Sequence, residues 1–395
     1  LRSTPAQLEE IRRLQFTDLD GANARLLDFF RAHLPLPVQS VHIRPLAVSL
    51  NSVNGFVETS RGRLFFKAHI ESQVAGREYY NTDVLRQAGW PVLAPVMKMS
   101  ESDVQHVLLY EVIEAPTAFD LCRAVERGES PRGGELLSAQ NASDDELLHL
   151  YRRSLGWQTA PDHARAPIHQ LFWHRLTGGR FDTFYRGQAV RLPGGTQLDW
   201  DHFASLPWTI NGHAFPQPLT VLINRAIQLL DPHQEGPAIV GHGDAHNGNL
   251  FLMDGQLVYF DPAFAGSHHP LLDLVKPLYH NVFAQWMYFP AEFAEWLQVE
   301  AAIRDGRIDV RHNFRLHPLR LSILESKRQR TLAPMVEELR SRGWLRADWR
   351  EYLNAALLCC PLLTMNLLDP AKFSPVVSLL GFAHAVEMGN EGVGA

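Results

Sequence analysis

The spacing of apolar residues changes along the chain, and each change predicts a different kind of element. Thr4-Pro5-Ala6-Gln7 offers a capping threonine, a proline suited to a first turn and a glutamine three residues on, so a helix is expected to start there. A second helical spacing runs from about Gly21 to His33 and meets Pro35 and Pro37. The pattern then becomes extended. Val38–Leu50, Phe56–Thr59 and Leu64–Ile70, with a turn at Ser60-Arg61-Gly62, predict an antiparallel meander. Gln73–Gln87 is helical again, ending near Gly89, and Val92–Met99 and Val104–Val112 are two further expected strands.

Ala115-Pro116 breaks this order, and the remainder is expected to be mainly helical. Arg127–Gly134 is rich in Gly, Pro and Ser and predicts a surface loop, while Gly187–Gln217 has weak periodicity and predicts an irregular insertion. Helical spacing returns over Leu319–Arg342, with Pro334 as an expected break, and again from Trp349. The expected class is therefore α+β, divided into residues 1–114 and 115–395.

Composition narrows the function classes. With 46% hydrophobic and 20% charged residues among 395, the chain has the balance of a globular protein. A net charge of −6 gives no general attraction to nucleic acid or anionic membrane, so neither is an expected partner, and any phosphate site must be local. Leu1–Gln15 lacks the apolar block of a signal peptide, and the apolar run Ala355–Leu368 is interrupted by Pro361 and Asn366. Cys122, Cys359 and Cys360 form no zinc-type spacing, and a reducing, cytoplasmic setting is expected.

The chemistry concentrates in Val240-Gly241-His242-Gly243-Asp244-Ala245-His246-Asn247-Gly248-Asn249, followed by a strand, a turn at Asp254-Gly255, and a strand ending at Asp261-Pro262-Ala263. A strand feeding a tight glycine loop and then a hairpin is expected to put Asp244, Asn249 and Asp261 on one rim. Phosphoryl transfer needs such a set: one carboxylate to take the proton of an attacking hydroxyl, and an amide and a second carboxylate as hard oxygen ligands for magnesium.

On these residues the chain resembles the aminoglycoside phosphotransferase and choline kinase group, including fructosamine-kinase-like enzymes, within the protein-kinase-like superfamily. The resemblance implies a two-lobed fold, with an antiparallel N-terminal nucleotide lobe and a larger, mainly helical catalytic and acceptor lobe. It implies ATP and Mg²⁺ as cofactors, Asp244 as catalytic base and Asn249 with Asp261 as metal ligands. Asp273 in Leu272-Asp273-Leu274 resembles a later family aspartate that buttresses the catalytic loop. Lys67, on an apolar strand, corresponds to the lysine that grips the α/β-phosphates, with Glu78 as its partner and Glu71 as the competing one. Glu111, Val112 and Ile113 fall in a segment resembling the interlobe hinge, whose backbone binds adenine. The family's phosphate loop is glycine-rich, whereas Ser49–Gly55 has one glycine, so Asn51, Ser52 and Asn54 are expected to supply side-chain donors instead.

The acceptor implied is a small molecule with a hydroxyl: sugar-like, nucleoside-like or aminoglycoside-like. Gln170–Leu176 and Arg180–Arg186 carry aromatics and arginines that suit a sugar, a nucleoside or an already phosphorylated acceptor, although such residues more often belong to amphipathic helices whose aromatics pack in the core. His268 and His269, just after the expected metal loop, could reach an acceptor, but the expectation is that they lie at the surface. Three rival readings stand beside the kinase: a metallohydrolase using His242, Asp244 and His246, a nucleotide-gated pseudokinase, and a nucleotidyl transferase on the same fold.

Overall fold

The computed structural model describes residues 4–44, 52–69, 81–98 and 107–393. The chain divides into two units, Leu1–Pro116 with Val258–Ala263, and Thr117–Leu257 with Phe264–Ala395. The class is α+β, with an antiparallel N-terminal sheet and a mainly helical C-terminal part.

The smaller unit opens with helices α1 (Thr4–Leu14) and α2 (Leu19–His33); Asp18 caps α2 by accepting the Gly21 N–H at 2.9 Å. Its sheet comprises β1 (Val38–Ile43), β2 (Ser52–Thr59), β3 (Gly62–His69), β4 (Met97–Lys98) and β5 (Val107–Glu111), in the order β1-β2-β3-β5-β4 with every pairing antiparallel. The period-two alternation of β3 buries Leu64, Phe66 and Ala68 beneath α2, where Phe30 meets Phe66 edge-on at 5.0 Å. Phe65 and Lys67 occupy the other face. The expected meander is present. The strands expected at Val92–Met99 and Val104–Val112 shorten to β4 and β5, while Val92 forms a parallel bridge to Tyr259. Expectations placed at 45–51, 70–80 and 99–106 lie outside the described residues; residues 81–87 of the expected Gln73–Gln87 helix are helical.

The larger unit is built round three apolar helices. Every residue of Pro270–His280 is buried, as are nearly all of Trp349–Leu363 and most of Pro375–Asn390. Such all-round apolar helices cannot face water, and here they face one another and Leu219–Leu229. A three-stranded antiparallel sheet lies beside them, with Gly236–Gly241 between Gly156–Gln158 and Gly266–His268. The expected irregular insertion is better ordered than its sequence suggests. It contains the hairpin Ala189–Arg191 with Gln197–Asp199, and strands Trp208–Ile210 and His213–Phe215, which join Val299–Arg304 and Arg307–His312 in a four-stranded sheet. Short strands that pair across about 100 residues leave little periodicity for a local window to read.

Pro334 does not break its helix. A π-helical turn over Arg328–Leu332 joins Pro318–Lys327 to Ala333–Ser341, so the helical path continues through the proline with its bonding pattern shifted just before it. Beside this turn the fully buried Asp144 is matched on every side. It accepts from Gln140 (2.9 Å), Ser326 (2.7 Å) and the Lys327 ammonium, and its carbonyl accepts from Thr331 (3.0 Å).

Candidate active site

The Gly236–Gly241 strand delivers the chain into the loop His242–Asn249, and glycine is required at two points of that path. A Cβ on Gly241 would lie 2.7 Å from the Asp273 carboxylate. Gly243 has φ 81, and a Cβ there would lie 2.4 Å from the Phe264 carbonyl oxygen. The loop is pinned from behind by Asp273, which is 1% exposed. Its Oδ1 accepts the Gly243 N–H at 2.5 Å and lies 2.9 Å from His268 Nε2, and its Oδ2 accepts from the Tyr151 hydroxyl. Burial disfavours the ionised form of this carboxyl and pushes its pKa up, but His268, Tyr151 and the Gly243 amide together outweigh it and hold it below the ordinary aspartate value.

The loop also closes on itself. Asn249 donates its side-chain amide to the Asp244 carbonyl at 2.9 Å and its backbone N–H to the His246 carbonyl at 2.7 Å. His246 Nδ1 accepts the Gly248 N–H at 3.0 Å, and the Asn247 N–H is held by Asn281 Oδ1 at 2.6 Å. These bonds present the Asp244 side chain at 19% exposure, with Lys276 Nζ 3.9 Å from Oδ1 and His246 Nε2 3.9 Å from Oδ2. Asp244 Oδ1 is buried and finds no hydrogen-bond partner among the described residues. Burial alone would favour its neutral form. Lys276, then His246, Arg175 and His242, reverse that, so the carboxylate is held ionised below its ordinary value. A fixed, ionised carboxylate with an unsatisfied oxygen is suited to accept a proton.

The sequence pattern of the phosphotransferase enzyme family matches residues 179–307, a span that holds Asp244, Asn249, Asp261, Asp273 and Lys276. This segment is of phosphotransferase type. The resemblance read from the sequence is borne out by the match, and with it the expectation of a phosphotransferase. No curated protein matches the chain. Among solved structures, an amicoumacin kinase in complex with AMP-PNP, Ca²⁺ and amicoumacin is similar at 15% identity and a TM-score of 0.49, covering 92% of each chain. A thermostable mutant of an aminoglycoside phosphotransferase in its apo form is similar at 11% identity and a TM-score of 0.47, covering 93% of this chain and 100% of that one. A spectinomycin phosphotransferase in complex with ADP and spectinomycin is similar at 12% identity and a TM-score of 0.40, covering 92% of this chain and 98% of that one.

The phosphotransferase-type segment includes a second group, in the smaller unit. There Val258–Ala263 is tied down by Tyr259, whose N–H donates to the Pro91 carbonyl and whose carbonyl accepts the Leu93 N–H, each at 2.8 Å. Asn81 donates to the carbonyls of Pro262 (3.0 Å) and Ala263 (3.2 Å). Between these anchors Asp261 is held at φ 56, a left-handed conformation costly for a residue with a side chain. Its Oδ1 accepts from Lys67 Nζ at 2.6 Å. Lys67 thus points into a polar group rather than snorkelling from an edge, and its side chain is 14% exposed.

The other expected residues are less informative. Glu78 and its competitor Glu71 lie outside the described residues, as does Asn51. Ser52 begins β2 opposite His69. Gly55, the single glycine of the expected phosphate loop, is needed by the sheet itself: a Cβ there would lie 2.2 Å from the His42 carbonyl oxygen. Glu111 ends β5 opposite Leu64, and Val112 and Ile113 continue without strand pairing.

His268 and His269 are corrected. Both are buried, His268 against Asp273, and His269 at the start of the Pro270 helix, where it accepts the Leu271 N–H at 3.2 Å and packs on Tyr352. Tyr185 and Phe181 pack with Trp200, so that part of the aromatic region is core. Among the described residues no group of three or more His, Cys, Asp or Glu is arranged to hold a metal.

Sequence reasoning missed Lys276, 4% exposed, and the network behind it. Lys276 Nζ lies 3.3 Å from His280 Nε2, and His280 Nδ1 lies 2.8 Å from the Tyr288 hydroxyl. Burial, then Lys276 and His246, keep His280 neutral, so it accepts from the ammonium at Nε2 and donates from Nδ1 to Tyr288. The signal was available. Asp273, Lys276 and His280 recur at helical spacing in an otherwise apolar run.

Proposed function

We propose that this protein is an ATP-dependent small-molecule kinase that moves the γ-phosphoryl group to a hydroxyl of its acceptor, with Asp244 as the base. The observation that carries this reading is the state of Asp244: ionised beside Lys276, fixed by the loop bonds of Asn249 and Asp273, with one buried oxygen that has no hydrogen-bond partner among the described residues. That oxygen would accept the acceptor's hydroxyl proton as the hydroxyl oxygen attacks phosphorus and the bond to the ADP leaving group breaks. The family match over residues 179–307 supports the same reaction class.

Lys67 would grip the nucleotide's α/β-phosphates, with backbone from Glu111 to Ile113 at adenine and residues 1–114 forming the nucleotide lobe. Residues 115–395 would form the catalytic and acceptor lobe. Asn249 and Asp261 fit a magnesium ion by donor chemistry. The NH₂ of Asn249 is spent on the Asp244 carbonyl, leaving its amide oxygen as an acceptor, and Asp261 offers a carboxylate. Such an ion, when bound, would neutralise phosphate charge. The setting that fits this composition is cytoplasmic, and among the described residues no helix is long and apolar enough to cross a membrane.

The test is incubation with Mg²⁺-ATP and a pooled panel of hydroxylated metabolites and antibiotics, read by mass spectrometry. A product heavier by one phosphoryl group is expected, and Asp244→Asn should lose about 10²–10⁴-fold in turnover while still binding ATP. Failure of the wild-type protein to bind ATP would sink the reading. Products carrying AMP would point to nucleotidyl transfer instead.

A further inference from the structure

The larger unit places more positive than negative charge around Asp244. Lys276 is 4% exposed and 3.9 Å from the carboxylate. Arg175, on the short helix Trp173–Thr177, acts on both Asp244 and Lys276, and its Nη1 is buried with no hydrogen-bond partner among the described residues. Arg180, close enough to disfavour the charge on Arg175, spends one guanidinium nitrogen on the Leu363 carbonyl at 3.2 Å. Among the described residues, the carboxylate that acts on both Arg175 and Lys276 is that of Asp244. Cys359 and Cys360 lie in the same neighbourhood, but burial pushes both thiols up, Cys360 to about 11, so neither carries charge near neutrality. Lys276 and Arg175 therefore both act on the Asp244 carboxylate, and Arg180 adds its charge beside Arg175.

Two other buried cations among the described residues are treated differently. Lys327 is matched by Asp144, and Arg320 by both oxygens of Glu126. A buried guanidinium nitrogen without an acceptor is costly, and its planar fork is shaped for an oxyanion. A polycationic amino sugar would add to the excess positive charge, whereas an anionic acceptor would offset it.

We propose that the acceptor carries an oxyanion, a carboxylate or a phosphate, seated against Arg175 with Arg180 and Lys276 beside Asp244. The inference rests on the reading of Asp244 as the base of a small-molecule kinase and names the class of its substrate.

The test compares four matched probes on the full chain without nucleotide: D-glucose, D-gluconate, D-glucose 6-phosphate and D-glucosamine. Binding is read by calorimetry over a salt series. One of the two anions is expected to bind at least about tenfold more tightly than glucose, with affinity falling as salt rises. Gluconate or the phosphate ester winning tells which oxyanion the site prefers. Arg175→Gln should remove about tenfold of that preference, and Arg175→Lys should restore part of it. Equal binding of all four, tightest binding of glucosamine, or an anion preference untouched by Arg175→Gln would overturn the proposal. If Arg175→Gln does not fold, the wild-type comparison alone decides.

ATP binding by the wild-type protein is measured separately. Anion binding without ATP binding would keep the oxyanion site and sink the kinase. Phosphorylation of glucosamine in preference to both anions would keep the kinase and sink the oxyanion site.

Discussion

Replacing Lys276 by methionine removes the charge that acts most strongly against the burial of Asp244. At the observed 3.9 Å the pair interacts by about 4 kcal/mol if the effective dielectric constant is about 20. That would move an ionisation by at most about three pH units. Asp244 is 19% exposed, and solvent will screen part of this, so a rise of about one to two pH units is expected. The direction follows from the linkage. The carboxyl is held below its ordinary value, the base works only when ionised, and activity falls as pH drops through its ionisation.

The assay is the pH dependence of kcat/KM, whose acid limb reports the free enzyme's base. In Lys276→Met the acid limb should shift upward by that amount. A double variant with Asp244→Asn should show that the two changes are not additive. An acid limb that stays where it was, in a variant whose thermal unfolding shows it folded, would refute both the pairing and the role of Asp244.

Three further outcomes follow from the packing. Gly243→Ala should destabilise by about 2 kcal/mol or more and slow turnover, because φ 81 and the Phe264 carbonyl oxygen 2.4 Å from a Cβ forbid the side chain; urea unfolding checks it. Asp144→Leu strands the buried Lys327 ammonium and should cost about 3–5 kcal/mol by the same measurement. Burial, and then Glu391, raise Glu387 to about 7, so its proton is bound more tightly in the folded state than in the unfolded chain. Its contribution to stability is full below the ordinary glutamate value and is lost as pH rises through about 7. Melting temperatures from pH 5 to 8 should therefore fall more steeply in the wild type than in Glu387→Gln.

What the sequence determined by itself was local. His242-Gly243-Asp244 and Asn249 lie within eight consecutive residues, and their glycines, amide and carboxylate make one another's bonds, so their order along the chain already describes the loop. The meander was legible because each strand's alternation is short-range and its turns carry their own chemistry, as Gly62 does at φ 100. Lys67 could be placed on a strand in the same way, but its contact with Asp261 could not. Asp261 lies 194 residues away, and only the folded chain brings it within 2.6 Å.

Only tertiary structure decided which polar residues are buried and whom they meet. His268 and His269 look like surface residues until Asp273 and Tyr352 are packed against them. Lys276 looks like a helix lysine until Asp244 stands 3.9 Å from it, and Arg175 looks like one arginine of an amphipathic helix until its Nη1 is found buried without an acceptor among the described residues. The physical reason is the same in each case. A charge in water costs nothing wherever it falls in the sequence, while a buried charge is set by neighbours on other elements, and no local spacing encodes them.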